Sequence, residues 1–147
     1  MNQENCFESP LNLIGNTPLV RLNKIAPNHY IYAKCEFLNP SGSIKDRAAK
    51  AMIETAQKEG KIKEGTLIVE ATSGNTGIGL AQVCAAKGYP IVLTMPESMS
   101  LERRKILIGL GAKLELTPAH LGMQGAIEKA FEIQSKNNNV FIPSQFD

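Results

Sequence analysis

The sequence predicts an α/β domain: an open, mainly parallel sheet with helices on both faces. Two observations predict it. Short apolar, β-branched runs alternate with helical segments of roughly 10–16 residues, the pattern of successive βαβ units. One of those runs also passes into a helix through a turn rich in hydroxyls and glycines, Glu70-Ala71-Thr72-Ser73-Gly74-Asn75-Thr76-Gly77-Ile78-Gly79. Ligands of such sheets bind beyond the carboxyl ends of the strands, where this turn falls.

Composition agrees with one globular domain. The 147 residues are enough for a core, and 43% hydrophobic with 20% charged residues is an ordinary balance. A formal charge of +2 predicts no strong attraction to nucleic acid or to a membrane surface. No apolar run approaches the ~20 residues that span a bilayer. The start, Met1-Asn2-Gln3-Glu4, has neither the basic nor the apolar region of a signal peptide. Cys6, Cys35 and Cys84 are widely spaced, which suggests free thiols in a reducing compartment. The expectation is a cytoplasmic protein with no metal site.

Taken in order, residues 1–9 are polar. Gly15-Asn16-Thr17-Pro18 reads as a turn entering a short strand over 19–22. Residues 30–37 alternate and are β-prone, which predicts a second strand. Asn39-Pro40-Ser41-Gly42-Ser43 breaks the chain, with Ser43 as N-cap of a helix over 44–59 that ends at Gly60. A strand over 67–71 then leads to a helix over 76–87, closed by Gly88. A strand over 91–95 leads to a helix over 100–110, stopped by Gly111. A strand over 113–116 leads to a helix over 122–136, and residues 140–142 start another strand. Ending at Asp147, soon after a strand, is an awkward finish for an open sheet, and the expectation is a truncated chain or one that ends at a domain boundary.

The glycines of the 70–79 turn allow close approach of a ligand, and the first amides of the helix favour an anion. Thr72, Ser73 and Thr76 add hydroxyl donors, and Asn75 can donate and accept. A plain N-cap would need only one of these hydroxyls, so the turn predicts a carboxylate or phosphate site. Its G-x-x-G-x-G spacing is neither the dinucleotide fingerprint nor a Walker A loop. Lys45 falls in the first turn of a predicted helix, where the dipole disfavours an ammonium. A partly desolvated lysine there would suit Schiff-base chemistry; a solvated lysine balanced by Asp46 is the plainer reading. His29 and His120 lack metal-ligand neighbours, and Arg103-Arg104-Lys105 reads as a solvated helix face. Met95, Met99 and Met123 read as core or pocket lining.

Together, the Asn39–Arg47 and Thr72–Gly77 stretches resemble the cofactor-lysine motif and substrate loop of cysteine synthase (O-acetylserine sulfhydrylase). That family belongs to the fold type II pyridoxal-phosphate enzymes. Ile14-Gly15-Asn16-Thr17-Pro18-Leu19-Val20-Arg21-Leu22 is similar to the family's opening signature. Met95-Pro96-Glu97-Ser98-Met99-Ser100, Glu102-Arg103-Arg104-Lys105, Gly111-Ala112, Gly122-Met123 and Gly125-Ala126 follow its pattern in order. Gln145-Phe146-Asp147 resembles the start of a further motif. Ala71 departs from the pattern, standing where the family usually has proline.

The resemblance implies pyridoxal 5'-phosphate as cofactor, held covalently by Lys45, with Asn75 on the cofactor's ring oxygen. It implies a substrate carboxylate gripped by Thr72, Ser73, Gly74, Thr76 and Gln145. The implied reaction is β-replacement: O-acetyl-L-serine loses acetate by way of an α-aminoacrylate, and sulfide adds to give L-cysteine. It further implies a homodimer in full-length form, and a site that also admits the carboxyl-terminal tail of serine acetyltransferase. Residues 1–38 would be an N-terminal segment with strands, part of it packing on a missing second domain. Residues 39–147 would be the amino-terminal α/β domain. The family's phosphate cup lies in the second domain, so weak or no activity is expected of this chain alone. Cystathionine β-synthase shares the lysine and Thr-Ser-Gly-Asn-Thr motifs and is the nearest alternative. A non-catalytic domain that captures a carboxylate or peptide tail is the alternative from another class.

Overall fold

The computed structural model describes residues 6–144. Strands β1 (Leu19–Arg21) and β2 (Tyr32–Lys34) form a separate antiparallel pair. Then come α1 (Lys45–Lys58), β3 (Leu67–Ala71), α2 (Asn75–Lys87), β4 (Ile91–Pro96), α3 (Leu101–Gly109), β5 (Lys113–Thr117), α4 (Gly122–Ser135) and β6 (Val140–Phe141). The last four strands form one parallel sheet in the order β5–β4–β3–β6.

Period-two alternation in the central strands sends side chains into two cores. Ile68, Ile91, Leu93 and Met95 face one side, where α2 and α3 cover them and α1 packs outside α2 through Ala49, Ile53 and Ala56. Val69, Ala71 and Val92 face the other side, against Ala126 and Ala130 of α4. Both faces are therefore covered, as the continuous apolar strands require.

Topology places the site. The crossovers through α2 and α3 add β4 and β5 on one side of β3. The α4 crossover returns over the opposite face and sets β6 on β3's other side. Strand order thus reverses between β3 and β6, and a crevice opens at their carboxyl ends. There Ser144 N donates to Glu70 Oε2 at 3.0 Å.

Two local expectations change. Of residues 30–37 only Tyr32–Lys34 pair, because Glu36–Leu38 turns into a 3-10 helix. Asn39 Nδ2 donates to Glu36 O at 2.9 Å and holds that turn. The cap position of α1 falls on Ile44 instead of Ser43, although Ser43 Oγ still accepts from Lys45 N at 3.1 Å.

Arg47 clasps the N-terminal segment to α1, together with Lys50 Nζ, which donates to Leu11 O at 2.9 Å. Arg47 meets Glu36 through Nε–Oε2 and Nη2–Oε1, both 2.8 Å, and Nη2 also donates to Gly15 O at 2.9 Å. Thr17 Oγ1 donates to Glu36 Oε1 at 2.6 Å. Among the described residues no helix is long and apolar enough to cross a membrane.

The clasp makes an acid prediction. The Arg47 guanidinium, then the Thr17 hydroxyl, holds the Glu36 carboxyl at about 2, down from 4.5. A depressed folded-state value means the contribution is complete above 4.5 and lost as pH falls toward 2. Urea unfolding from about pH 6 to about pH 3 should therefore lose midpoint faster in the wild type than in Glu36→Gln. Parallel pH profiles for the two would contradict it.

Candidate functional site

One wall of the site is the start of α1. Asp46, almost fully buried, accepts from Ser41 N at 2.7 Å through Oδ2, and its Oδ1 takes the Ser41 hydroxyl. The carboxylate expected to balance Lys45 is thus committed to the preceding turn. Lys45 is exposed, and its ammonium has no hydrogen bond or ion pair among the described residues. Its backbone is held from behind by α2. A Cβ at Gly79 would lie 3.1 Å from Lys45 O and 3.2 Å from Ala49 Cβ, so only glycine lets the two helices meet there without displacement.

The facing wall is the turn between β3 and α2. Thr72 N donates to Thr94 O at 3.0 Å, which anchors the turn to β4. Thr72 Oγ1 accepts from Gly74 N at 3.3 Å and from Gly77 N at 3.1 Å. One buried hydroxyl therefore shapes the turn and satisfies an amide in the first turn of α2. A Cβ at Gly77 would fall 2.4 Å from Thr72 Cγ2, so the tuck needs a bare backbone at that residue. From α3, Arg103 Nη1 donates to Ser73 O and lies 3.7 Å from Met99 Sδ.

The two walls enclose a cleft of about 520 Å³, closed on the α4 side by Met123 and Ile127. Helix α4 is held against the sheet where Thr94 Oγ1 donates to Ala126 O at 2.7 Å. Lys45, Thr72, Ser73, Gly74, Asn75 and Thr76 all line this cleft. Asn75 is exposed, and its side-chain amide has no partner among the described residues. Gln145 lies outside the described residues. The cleft thus offers an amine, an amide and a serine hydroxyl to a ligand, beside an apolar wall that limits water.

Sequence reading missed Ile44 and Ile127 as lining, because isolated apolar residues on helices look like ordinary core. It also read Arg103 and Arg104 as solvated. Instead, Arg103 meets Ser73 O, and Arg104 Nη2 donates to Glu97 O. A larger hollow of about 680 Å³ between α2, α3 and the 8–10 segment contains neither Lys45 nor the turn. Among the described residues no cluster of three or more His, Cys, Asp or Glu could hold a metal. Burial pushes the Cys84 thiol up to about 12, far from a nucleophile's range.

Residues 11–147 match the family described as pyridoxal-phosphate dependent enzyme. Cysteine synthase B of Campylobacter jejuni is 59% identical over 135 residues, covering 92% of this chain and 44% of the relative. Cysteine synthase of a Flavobacterium species is 54% identical over 142 residues, covering 96% of this chain and 46% of the relative. Among solved structures, the cysteine synthase of Entamoeba histolytica superposes with a TM-score of 0.91 at 38% identity, over 99% of this chain and 45% of that one. The chain spans about half the length of the relatives it matches.

The double acceptor role of Thr72 is testable by unfolding in urea. Thr72→Val leaves the Gly74 and Gly77 amides without their acceptor and should cost about 1–3 kcal/mol. Thr72→Ser keeps the oxygen and should cost about half as much or less. Equal losses would assign the effect to the methyl group instead.

Proposed function

The chain belongs to the family of pyridoxal-phosphate-dependent enzymes, and on that premise we propose that it is the amino-terminal part of a cysteine synthase. One observation carries the reading: a Lys45 ammonium and an Asn75 amide, neither paired among the described residues, share a cleft with a glycine- and hydroxyl-rich helix start. These residues fit the reactive end of the cofactor. Lys45 would hold it through its ε-amine, and the Asn75 amide would donate to its ring oxygen. Bound there, pyridoxal phosphate supplies an electron sink for bond breaking next to the amino-acid carbon.

The chain's own residues supply binding and proton movement. Ser73, Gly74, Thr76 and Gln145 would grip the substrate carboxylate at the start of α2, where helix amides favour an anion. Thr72 would support them by holding the loop, and its hydroxyl keeps an O–H to donate. Fixing the carboxylate aims the substrate's α-hydrogen at one wall. Lys45 Nζ, in its free-amine form, would accept that proton as a general base. In the net reaction the Cβ–O bond of O-acetyl-L-serine breaks, acetate leaves, sulfide forms the Cβ–S bond and a proton returns to Cα. Ile44, Met123 and Ile127 would keep water out.

The relatives are about twice as long as this chain. The phosphate cup is assigned to that further half, with residues 39–147 as the amino-terminal α/β domain. Leu19, Val20 and Tyr32 on the β1–β2 pair, with Phe37 beside them, are exposed. Leu19 and Tyr32 share one face of the pair and Val20 lies on the other, so the pair presents apolar groups suited to packing on a second domain. The complete enzyme would be a cytoplasmic homodimer, and its carboxylate site would also admit the acidic end of a serine acetyltransferase tail.

The deciding experiment is incubation of the chain with pyridoxal phosphate, borohydride reduction and peptide mass mapping. The expected label is on Lys45, accompanied by a visible absorbance change, and both should disappear in Lys45→Ala. Label scattered over surface lysines, with no preference for Lys45, would refute the assignment of the cofactor lysine.

A further inference from the structure

Arg103 is not part of the cleft lining, yet it is the side chain from α3 that reaches the 72–76 loop. It is itself well held. Its backbone N donates to the capping Ser100 Oγ at 3.4 Å, and its guanidinium lies 3.7 Å from the sulfur of Met99, which packs on the main core. Its target is the Ser73 carbonyl. That carbonyl and the Gly74 N–H belong to one planar trans peptide, so they point in opposite directions. The Gly74 N–H is taken on the other side by Thr72 Oγ1 at 3.3 Å.

The 73–74 peptide is thus pinned from both faces. A Cβ at Gly74 would meet no atom within 4 Å, so the space beside this residue is open. Among the described residues these two hydrogen bonds hold the peptide, and the bond from the guanidinium is the charge-assisted one.

We infer that Arg103 is a positioning residue, which fixes the 73–74 peptide and so keeps the loop in the arrangement that receives a carboxylate. The inference rests on the carboxylate role given to this loop under Proposed function. Arg103 touches neither substrate nor cofactor in this reading; it acts through Ser73. It makes α3 the anchor of a loop carried by β3 and α2.

The test compares the whole chain with Arg103→Met and Arg103→Lys by amide hydrogen exchange and by titration of ¹⁵N-labelled protein with sodium acetate. Arg103→Met should speed exchange at Gly74 by about tenfold, the size of one charge-assisted hydrogen bond. Leu80 and Ala81 inside α2 should keep their protection. Acetate affinity, read from the shifts of the Ser73 and Asn75 amides, should weaken about tenfold, and Arg103→Lys, which keeps a charged donor, should recover part of both effects. Unchanged exchange at Gly74, or equal acceleration at Leu80 and Ala81, would overturn the inference, the latter by making the role a general structural one. No acetate shift in the wild type would refute the carboxylate reading itself, while the exchange data would still decide whether Arg103 pins the loop.

Discussion

How closely α2 can lie against its neighbours governs the geometry of the site. At residue 77 the helix start sits on the Thr72 side chain, and at residue 79 it sits on the Lys45 carbonyl. Both contacts are made to backbone that has no Cβ. They bring the starts of α1 and α2, separated in sequence by α1 itself and β3, into one corner, with the lysine on one side and the first amides of α2 on the other. A single methyl at either residue would separate what the cleft needs side by side, because packed interiors cannot absorb it without movement.

Charge is distributed around that corner in a consistent way. Asp46 and Glu36 are both close in sequence to cationic residues, yet each carboxylate is spent on architecture: Asp46 on the Ser41 turn, Glu36 on Arg47 and Thr17. Lys45 therefore keeps an ammonium without a partner among the described residues, lining the cleft. The same economy holds among hydroxyls, since Thr72 and Thr94 tie the scaffold together while Ser73 stays half exposed at the edge. Of the groups that line the cleft, Thr72 and Thr76 are buried, whereas Lys45 and Asn75 are exposed.

Much of this was legible in the chain. The strand at 67–71 and the stops at Gly88 and Gly111 were readable because apolar runs and glycines are local signals. Lys45 stood out because an ammonium is disfavoured in the first turn of a helix, and the 72–76 loop because it carries more hydroxyls than one cap needs. Their sharing one cleft was not readable locally; it follows from strand order, which depends on the hand of three crossovers. The partners of Arg103 and Thr72 were hidden for a related reason. The Arg103–Ser73 bond joins residues 30 apart. The Tyr30–Phe37 expectation erred because Glu36 and Asn39 form a knot with Arg47 that overrides β propensity.

Cys84 gives the packing between α1 and α2 a time axis. It is fully buried on α2, at the centre of the core that joins these helices to β3 and β4, whereas Cys6 is exposed. A thiol enclosed in this way meets an alkylating reagent only while the layers around it are parted. The rate at which it becomes alkylated would count those openings, in the same molecule where Cys6 reacts at once. The residue with the least direct chemistry is thus a built-in clock for how often the scaffold beneath Lys45 comes apart.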